Sequence, residues 1–266
     1  MSKINLSKMK LGKNPPKRDP RTLKLAKYIK AVPPPPPEAG FITKIDNWPM
    51  MLNDSIGDCT IACAGHMIEQ WTTYAQRSAT IPTDKQILGA YQAVSGYNPN
   101  DPSTDNGAVV LDVLKYWRKS GIAKHKILAF VLVDSKNRQE IEQAVSLFGN
   151  CYIGIGLPIS AQNPDQGVNG YPVWNVPPTG PTGDGAPWSW GGHAIPIVGF
   201  GTDIQGNKGS MVVTWGQLYD MTWGFMQNYC DEAYAVLSQD WIESTGLAPS
   251  GFDLAQLQKD LGEITA

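Results

Sequence analysis

Asn53-Asp54-Ser55-Ile56-Gly57-Asp58-Cys59-Thr60-Ile61-Ala62-Cys63-Ala64-Gly65-His66 is the stretch on which the reading of this chain turns. A polar, Gly-containing turn ends in Asp58, and the run from Cys59 through Gln70 to about Tyr74 reads as a buried helix. Cys59 then stands at a helix N-terminus, where unpaired backbone N–H groups and the helix dipole favour negative charge. Such a position is expected to lower a thiol's pKa and make it nucleophilic. Far downstream, Trp190-Gly191-Gly192-His193-Ala194-Ile195-Pro196-Ile197-Val198-Gly199-Phe200-Gly201 places a histidine at the start of an apolar, strand-like run. A cysteine at a helix start and a distant histidine on a strand are the two parts of a Cys–His acyl-transfer site.

Around these two stretches, the 266 residues suffice for one large domain or two lobes sharing a core. With 42% hydrophobic and 17% charged residues, the composition is that of a globular protein. The 27 glycines and 21 prolines predict many loops, and nine tryptophans predict large aromatic anchors. Charge is unevenly spread. Residues 1–30 carry 10 of the 22 Lys/Arg and one of the 24 Asp/Glu, leaving 12 basic against 23 acidic residues, a net of −11, in the rest. A basic arm therefore precedes an acidic body, and it is expected to dock on an acidic protein surface, its own or a neighbouring subunit's. Tyr28 is the arm's one aromatic, so a nucleic-acid contact is disfavoured. No apolar run is long enough to span a membrane and no signal-peptide core is recognisable. Four cysteines make no disulfide framework at this length. A cytoplasmic or virion setting with reduced thiols is the expectation.

Residues 1–48 read as a basic, Pro-rich arm or linker, with Pro33–Pro37 a stiff polyproline II spacer. The alternative is a pro-segment or docking arm. Residues 49–239 form the body and 240–266 a tail with a short helix near Leu254–Leu261. In the body, Thr83 or Asp84 opens a helix to about Val94. A helix from about Val109 to Ser120 puts Val110, Val113, Leu114 and Trp117 on one face and stops at Gly121. Strands are expected at Ile127–Val133, Cys151–Leu157, Ala194–Phe200, Ser210–Thr214 and Glu232–Leu237, with a helix at Arg138–Phe148 closed by Gly149. A helical lobe, about 49–125, thus precedes a β lobe, about 126–239.

From about Trp48 to Leu237 the body resembles the papain-like cysteine peptidases. Gly57-Asp58-Cys59 is similar to the family's nucleophile segment, and Asn53 lies six residues earlier, where the family has an oxyanion-hole Gln. Asn106-Gly107-Ala108 resembles the Asn-Gly-Gly segment that lines the substrate cleft. His193-Ala194 with Val198-Gly199-Phe200-Gly201 resembles His-Ala…Val-Gly-Tyr-Gly, and Trp215-Gly216 and Trp223-Gly224 resemble the paired Trp-Gly elements after it. The resemblance implies an α+β fold with a helical lobe, an antiparallel β-barrel-like lobe and a cleft between them, preceded by an extended N-terminal arm. It implies Cys59, His193 and Asn53 as catalytic residues and Gly57, Asp58, Asn106, Gly107, Gly192 and Trp215 as substrate-binding ones, with no cofactor and no metal. One departure is specific. The family's histidine-orienting Asn lies two residues before the first Trp-Gly, where this chain has Val213. Valine cannot hydrogen-bond an imidazole, and Thr214, Gln217 or Asp220 is left to do so.

Two functions follow. One is thiol hydrolysis or acyl transfer at an amide of a peptide or protein, by Cys59 and His193. The other is an inactive papain-like scaffold serving as a structural or assembly protein, for example in a virion, with the arm docked to a partner. Cys59, Cys63 and His66 can share a helix face as metal ligands, but the spacing is not a common zinc pattern and fits a close-packed helix equally well. Cys151 and Cys230 read as buried core thiols and His125 as exposed. The loop Gln162–Gly192, with Trp174, Trp188 and Trp190, is expected to wall the cleft or to plug the β lobe.

Overall fold

A computed structural model describes residues 4–76, 78–167, 170–202, 208–241 and 252–265. After the arm and a two-residue strand, β1 (Ala39–Gly40), come α1 (Cys59–Trp71), α2 (Asp84–Ser95) and α3 (Val110–Ser120). Then follow β2 (Ile127–Val133), α4 (Arg138–Phe148), β3 (Cys151–Leu157), β4 (Asp165–Gln166), β5 (Pro172–Trp174) and β6 (Gly191–Thr202). The chain continues through β7 (Lys208–Thr214), β8 (Gln217–Thr222), α5 (Trp223–Tyr229), β9 (Cys230–Ser238) and α6 (Leu254–Thr265).

Local signals account for most boundaries. Thr83 and Gln86 close a reciprocal capping box on α2, and Gly96 ends it at φ 77°. Asn137 caps α4 by accepting from the Gln139 and Glu140 N–H groups, and Gly149 ends it at φ 83°. On α3 the apolar face of Val110, Val113, Leu114 and Trp117 is fully buried. Helix α1 is buried along its whole length. It is surrounded because β6 lies on one side and α2 and α3 on others. The helix then loosens into a π-helical turn over Thr72–Gln76.

The sheet runs β2-β9-β3-β6-β7-β8-β5-β4, with β1 added to β6. It is open, not the barrel-like lobe expected. Closure would need β2 to pair with β4, and β4 has only two residues. One pairing is parallel, β5 with β8. Strand β8 and helix α5 were not anticipated, because Trp215-Gly216 and Trp223-Gly224 read as motif and not as element boundaries. Trp215-Gly216 is a two-residue hairpin loop between paired Thr214 and Gln217, and both loop residues have positive φ, 45° and 72°.

The arm belongs to the core. Leu6, Leu25, Tyr28 and Ile29 are buried in the larger apolar cluster, with Phe148, Ile153, Ile195 and Leu257. Helix α6 is fastened over it. The Tyr28 hydroxyl donates to Asp260 at 2.5 Å, Lys27 pairs with the same carboxylate at 2.6 Å, and the Asp253 N–H donates to the Tyr28 carbonyl.

Candidate active site

Cys59 is the first residue of α1 and is 1% exposed. The expected depression of its pKa does not hold. Burial pushes the thiol up to about 12, against backbone hydrogen bonds from Ala194 and Gly12 that hold it down. The helix terminus is worth at most about 2 kcal/mol to an anion, while desolvating a charge without a counter-ion costs several times that. Beside it, the Asp58 carboxyl is wholly buried, its two oxygens have no hydrogen bond, and burial raises its pKa well above the usual range. The Asn53 amide approaches that carboxyl closely enough to offset part of the rise, yet its buried Nδ2 makes no hydrogen bond of good geometry.

The turn before Cys59 is held by residues the sequence reading missed. Both Asp105 oxygens accept the Gly57 N–H at 3.1 Å, Asp105 also accepts from the Tyr91 hydroxyl at 2.6 Å, and that hydroxyl accepts the Gly107 N–H at 3.0 Å. One carboxylate thus ties the turn to the Gly107-Ala108 wall. Tyr91 gave only a helix-face signal, and Asp105 lay inside a loop dense in polar residues.

His193, on β6, is completely buried. Thr214 Oγ1 lies 2.7 Å from its Nε2, and Trp215 stacks on the ring, centroids 4.5 Å apart and planes 17° from parallel. Of the three side chains left open to orient the ring, Thr214 is the one that does so. Val213 points to the opposite face of β7, into a small cluster with Trp48, Val198 and Leu218. His193 Nδ1 is buried and without a hydrogen bond. Burial lowers the imidazole pKa to about 3. Ala194, the next residue, hydrogen-bonds the Cys59 thiol through its backbone, so β6 brings His193 to the start of α1.

Residues Leu11–Asn14 of the arm run through the space between these parts. The Lys13 N–H donates to the Gly192 carbonyl at 3.0 Å, the Ala108 N–H donates to Gly12 at 2.8 Å, and the Asn14 N–H donates to Ala108 at 3.0 Å. Lys13 and Ala108 therefore pair as a parallel bridge. The approach is backbone to backbone. A Cβ on Gly12 would fall inside the Gly57 carbonyl, one on Gly107 inside the Gly12 carbonyl, and one on Gly192 inside the Lys13 carbonyl. Glycine at these positions is what admits the strand.

The other expected residues divide. Gly57, Gly107 and Gly192 line the strand from the arm, and Trp215 covers the imidazole. Asn106 is exposed, and its amide bonds back to the Ser103 carbonyl at 3.2 Å. His66 lies near the carbonyl of Pro49, 2.8 Å from Nε2, and edge-on to Trp48. No group of three His, Cys, Asp or Glu side chains able to hold a metal occurs among the described residues. His125, expected exposed, is largely covered, its Nδ1 2.7 Å from Asp240. The four cysteines are free and buried. In the described part of the loop before His193, both expectations have a share. Trp174 packs among Trp215, Tyr219 and Phe225 within the β lobe, whereas Trp188 lies against Gly156 and Gly192 beside the arm.

A buried helix that begins at a cysteine, packed against the strand that carries a histidine, and a helical layer before an open sheet are the arrangement of the papain-like cysteine-protease fold, and the chain has that fold. Solved structures similar to it include xylellain, a cysteine protease from Xylella fastidiosa. That match has a TM-score of 0.62 at 15% identity and covers 86% of this chain and 96% of that one. Digestive procathepsin L 3 from Tenebrio molitor matches with a TM-score of 0.59 at 12% identity, over 87% and 77% of the two chains. A procathepsin B from Trypanosoma congolense matches with a TM-score of 0.57 at 11% identity, over 88% of each. No family model and no curated protein matches the sequence. No helix among the described residues is long and apolar enough to cross a membrane.

Proposed function

We propose that the chain is a thiol hydrolase acting at amides of peptides or proteins, a cysteine peptidase or acyl transferase, held latent by Leu11–Lys13 of its own arm. The observation that carries this reading is the Thr214 contact. If His193 Nε2–H donates to Thr214 Oγ1, the Nδ1 lone pair is free to take a proton. In the reaction, the Cys59 proton passes to His193 Nδ1 and the thiolate sulfur bonds to the acyl carbon. The Cys59 N–H and Asn53 Nδ2 are the donors for the developing oxyanion. Collapse breaks the C–N bond as His193 returns its proton to the leaving amine. Water, deprotonated by the same nitrogen, then cleaves the thioester.

In the resting chain the proton stays on sulfur. Burial raises the thiol and lowers the imidazole, so both shifts oppose transfer of the proton from sulfur to nitrogen. Burial is the first cause of both shifts, and the arm supplies part of that burial. Removing Leu11–Lys13 lets water in, which lowers the thiol and raises the imidazole. A second reading, an inactive papain-like scaffold in a structural assembly, is favoured by the anchoring of Leu6, Leu25, Tyr28 and Ile29, which keeps the cleft filled.

The test is the pH dependence of iodoacetamide alkylation at Cys59, read by mass spectrometry. Gly12→Val clashes with the Gly57 backbone and displaces the strand. The wild type should react slowly, whereas Gly12→Val should react rapidly near pH 6 and lose that reactivity when His193→Ala is added. A folded Gly12→Val protein that is cleaved in its arm by trypsin, yet reacts only above pH 8 with or without His193, would overturn the hydrolase reading and leave the scaffold.

A further inference from the structure

We propose that the recess now filled by Lys13 is a specificity pocket of the cleft, built to take the lysine or arginine side chain of a bound peptide. This deepens the reading above and rests on the cleft being a peptide site.

The Lys13 side chain is wholly buried, which for a lysine requires a built counter-charge. Nζ lies 2.9 Å and 3.1 Å from the two Asp231 oxygens and 3.2 Å from Glu232 Oε1. It also donates to the Asn14 carbonyl at 3.3 Å and stands 4.6 Å from the centroid of Trp188. Room for the shaft comes from β3, where a Cβ on Gly154 would overlap Lys13 Cε. Every wall (Gly154, Trp188, Gly192, Asp231 and Glu232) belongs to the body. The recess therefore does not depend on the arm for its shape.

Its chemistry exceeds what Lys13 supplies. Two carboxylates share one ammonium: Asp231 Oδ1 and Glu232 Oε1 are both buried and both ion-paired to Lys13 Nζ, without a well-directed hydrogen bond to either. The other polar groups nearby are committed elsewhere. Tyr234 donates to Glu232 Oε2 at 3.2 Å, and Lys136 Nζ donates to the carbonyls of Gln227 and Cys230. A guanidinium brings five donors in a planar fork and can give each carboxylate its own directed hydrogen bond. The pocket should therefore favour arginine over lysine. Its place is also set. The Gly12 backbone hydrogen-bonds the Cys59 thiol, so the pocket takes the side chain next to the residue lying over the sulfur.

The experiment uses the full chain with Gly12→Val, which displaces the arm strand from the cleft, combined with Lys13→Ala, which empties the recess, and fluorescence anisotropy of labelled acetyl-Leu-Gly-X-Asn amides. X is arginine, lysine, norleucine or glutamate. The arginine and lysine peptides should bind roughly 10- to 100-fold more tightly than norleucine, the range expected of charge-assisted hydrogen bonds, with glutamate weakest. Adding Glu232→Gln should erase most of that preference. Equal affinity for norleucine and lysine, or no binding by any peptide to folded protein, would overturn the proposal. Lys13→Ser in the same background serves if the alanine variant does not fold, and is read the same way. Binding needs no live thiol. Basic preference without cleavage would sink the hydrolase reading alone, and cleavage without basic preference would sink this one alone.

Discussion

Thr214→Val removes one hydroxyl and almost no volume, so it isolates the contact that orients His193. The imidazole Nε2 would face a methyl group in a site where no water replaces the lost partner, since both residues are almost fully buried. Leaving a buried polar group unsatisfied costs about 1–3 kcal/mol. For a chain of this size, 2 kcal/mol is about 4–8 °C in midpoint. Urea unfolding should show the loss as a lower midpoint with unchanged slope. The chemical consequence is separable. In the Gly12→Val background, the ring freed of Thr214 should populate both tautomers, and alkylation near pH 6 should fall roughly 10²-fold or more, at the scale of an acid–base contribution. Thr214→Ser, which keeps the hydroxyl, should recover most of that rate. Wild-type stability in Thr214→Val, together with an unchanged alkylation profile, would refute the assignment of Thr214 as the positioning residue.

Asp105→Asn replaces a charged acceptor of two donors and should cost about 1.5–3 kcal/mol in urea unfolding. Combined with Tyr91→Phe, its effect should be less than additive, because both act through one network. Glu69 is buried on α1, one oxygen has no partner, and burial raises its pKa to about 8. Above pH 4.5 the unfolded chain ionises this group while the folded one keeps the proton, so its contribution to stability falls as pH rises toward 8. Glu69→Gln should therefore be neutral near pH 4 and stabilising by about 4 kcal/mol near pH 8, measured as paired unfolding midpoints. An equal gain at both pH values would mean the carboxyl is not the cause. Gly154→Ala should expel the Lys13 side chain and expose the arm to trypsin at that lysine, whereas Gly89→Ala, with open space around it, should not.

Much of this architecture is written locally. Thr83 with Gln86, the apolar face of α3, Gly121 and Gly149 each act within a few residues, and so these boundaries could be read from composition and spacing. The placing of Cys59 at a helix start and of His193 on a strand was also legible, because a polar turn before an apolar helix and a histidine opening an apolar run leave marks in their own segments. The character of the site was not legible. Thr214 differs from Val213 only in which face of β7 it occupies, and strand pairing decides that. The Cys59 pKa was misjudged in sign because the dipole is a property of one helix, while burial depends on everything packed around it.

The arm shows the division most plainly. Ten basic residues at the N-terminus and a body of opposite charge are facts of sequence, and they imply attraction without an address. The address comes from contacts across nearly the whole chain. Lys13 meets Asp231 and Glu232, and Gly12 meets Gly57, Gly107 and the thiol. Sequence alone determined which residues could do chemistry and which elements carry them. Tertiary structure alone decided their partners and their water, because burial and long-range pairing exist only once distant segments share one volume.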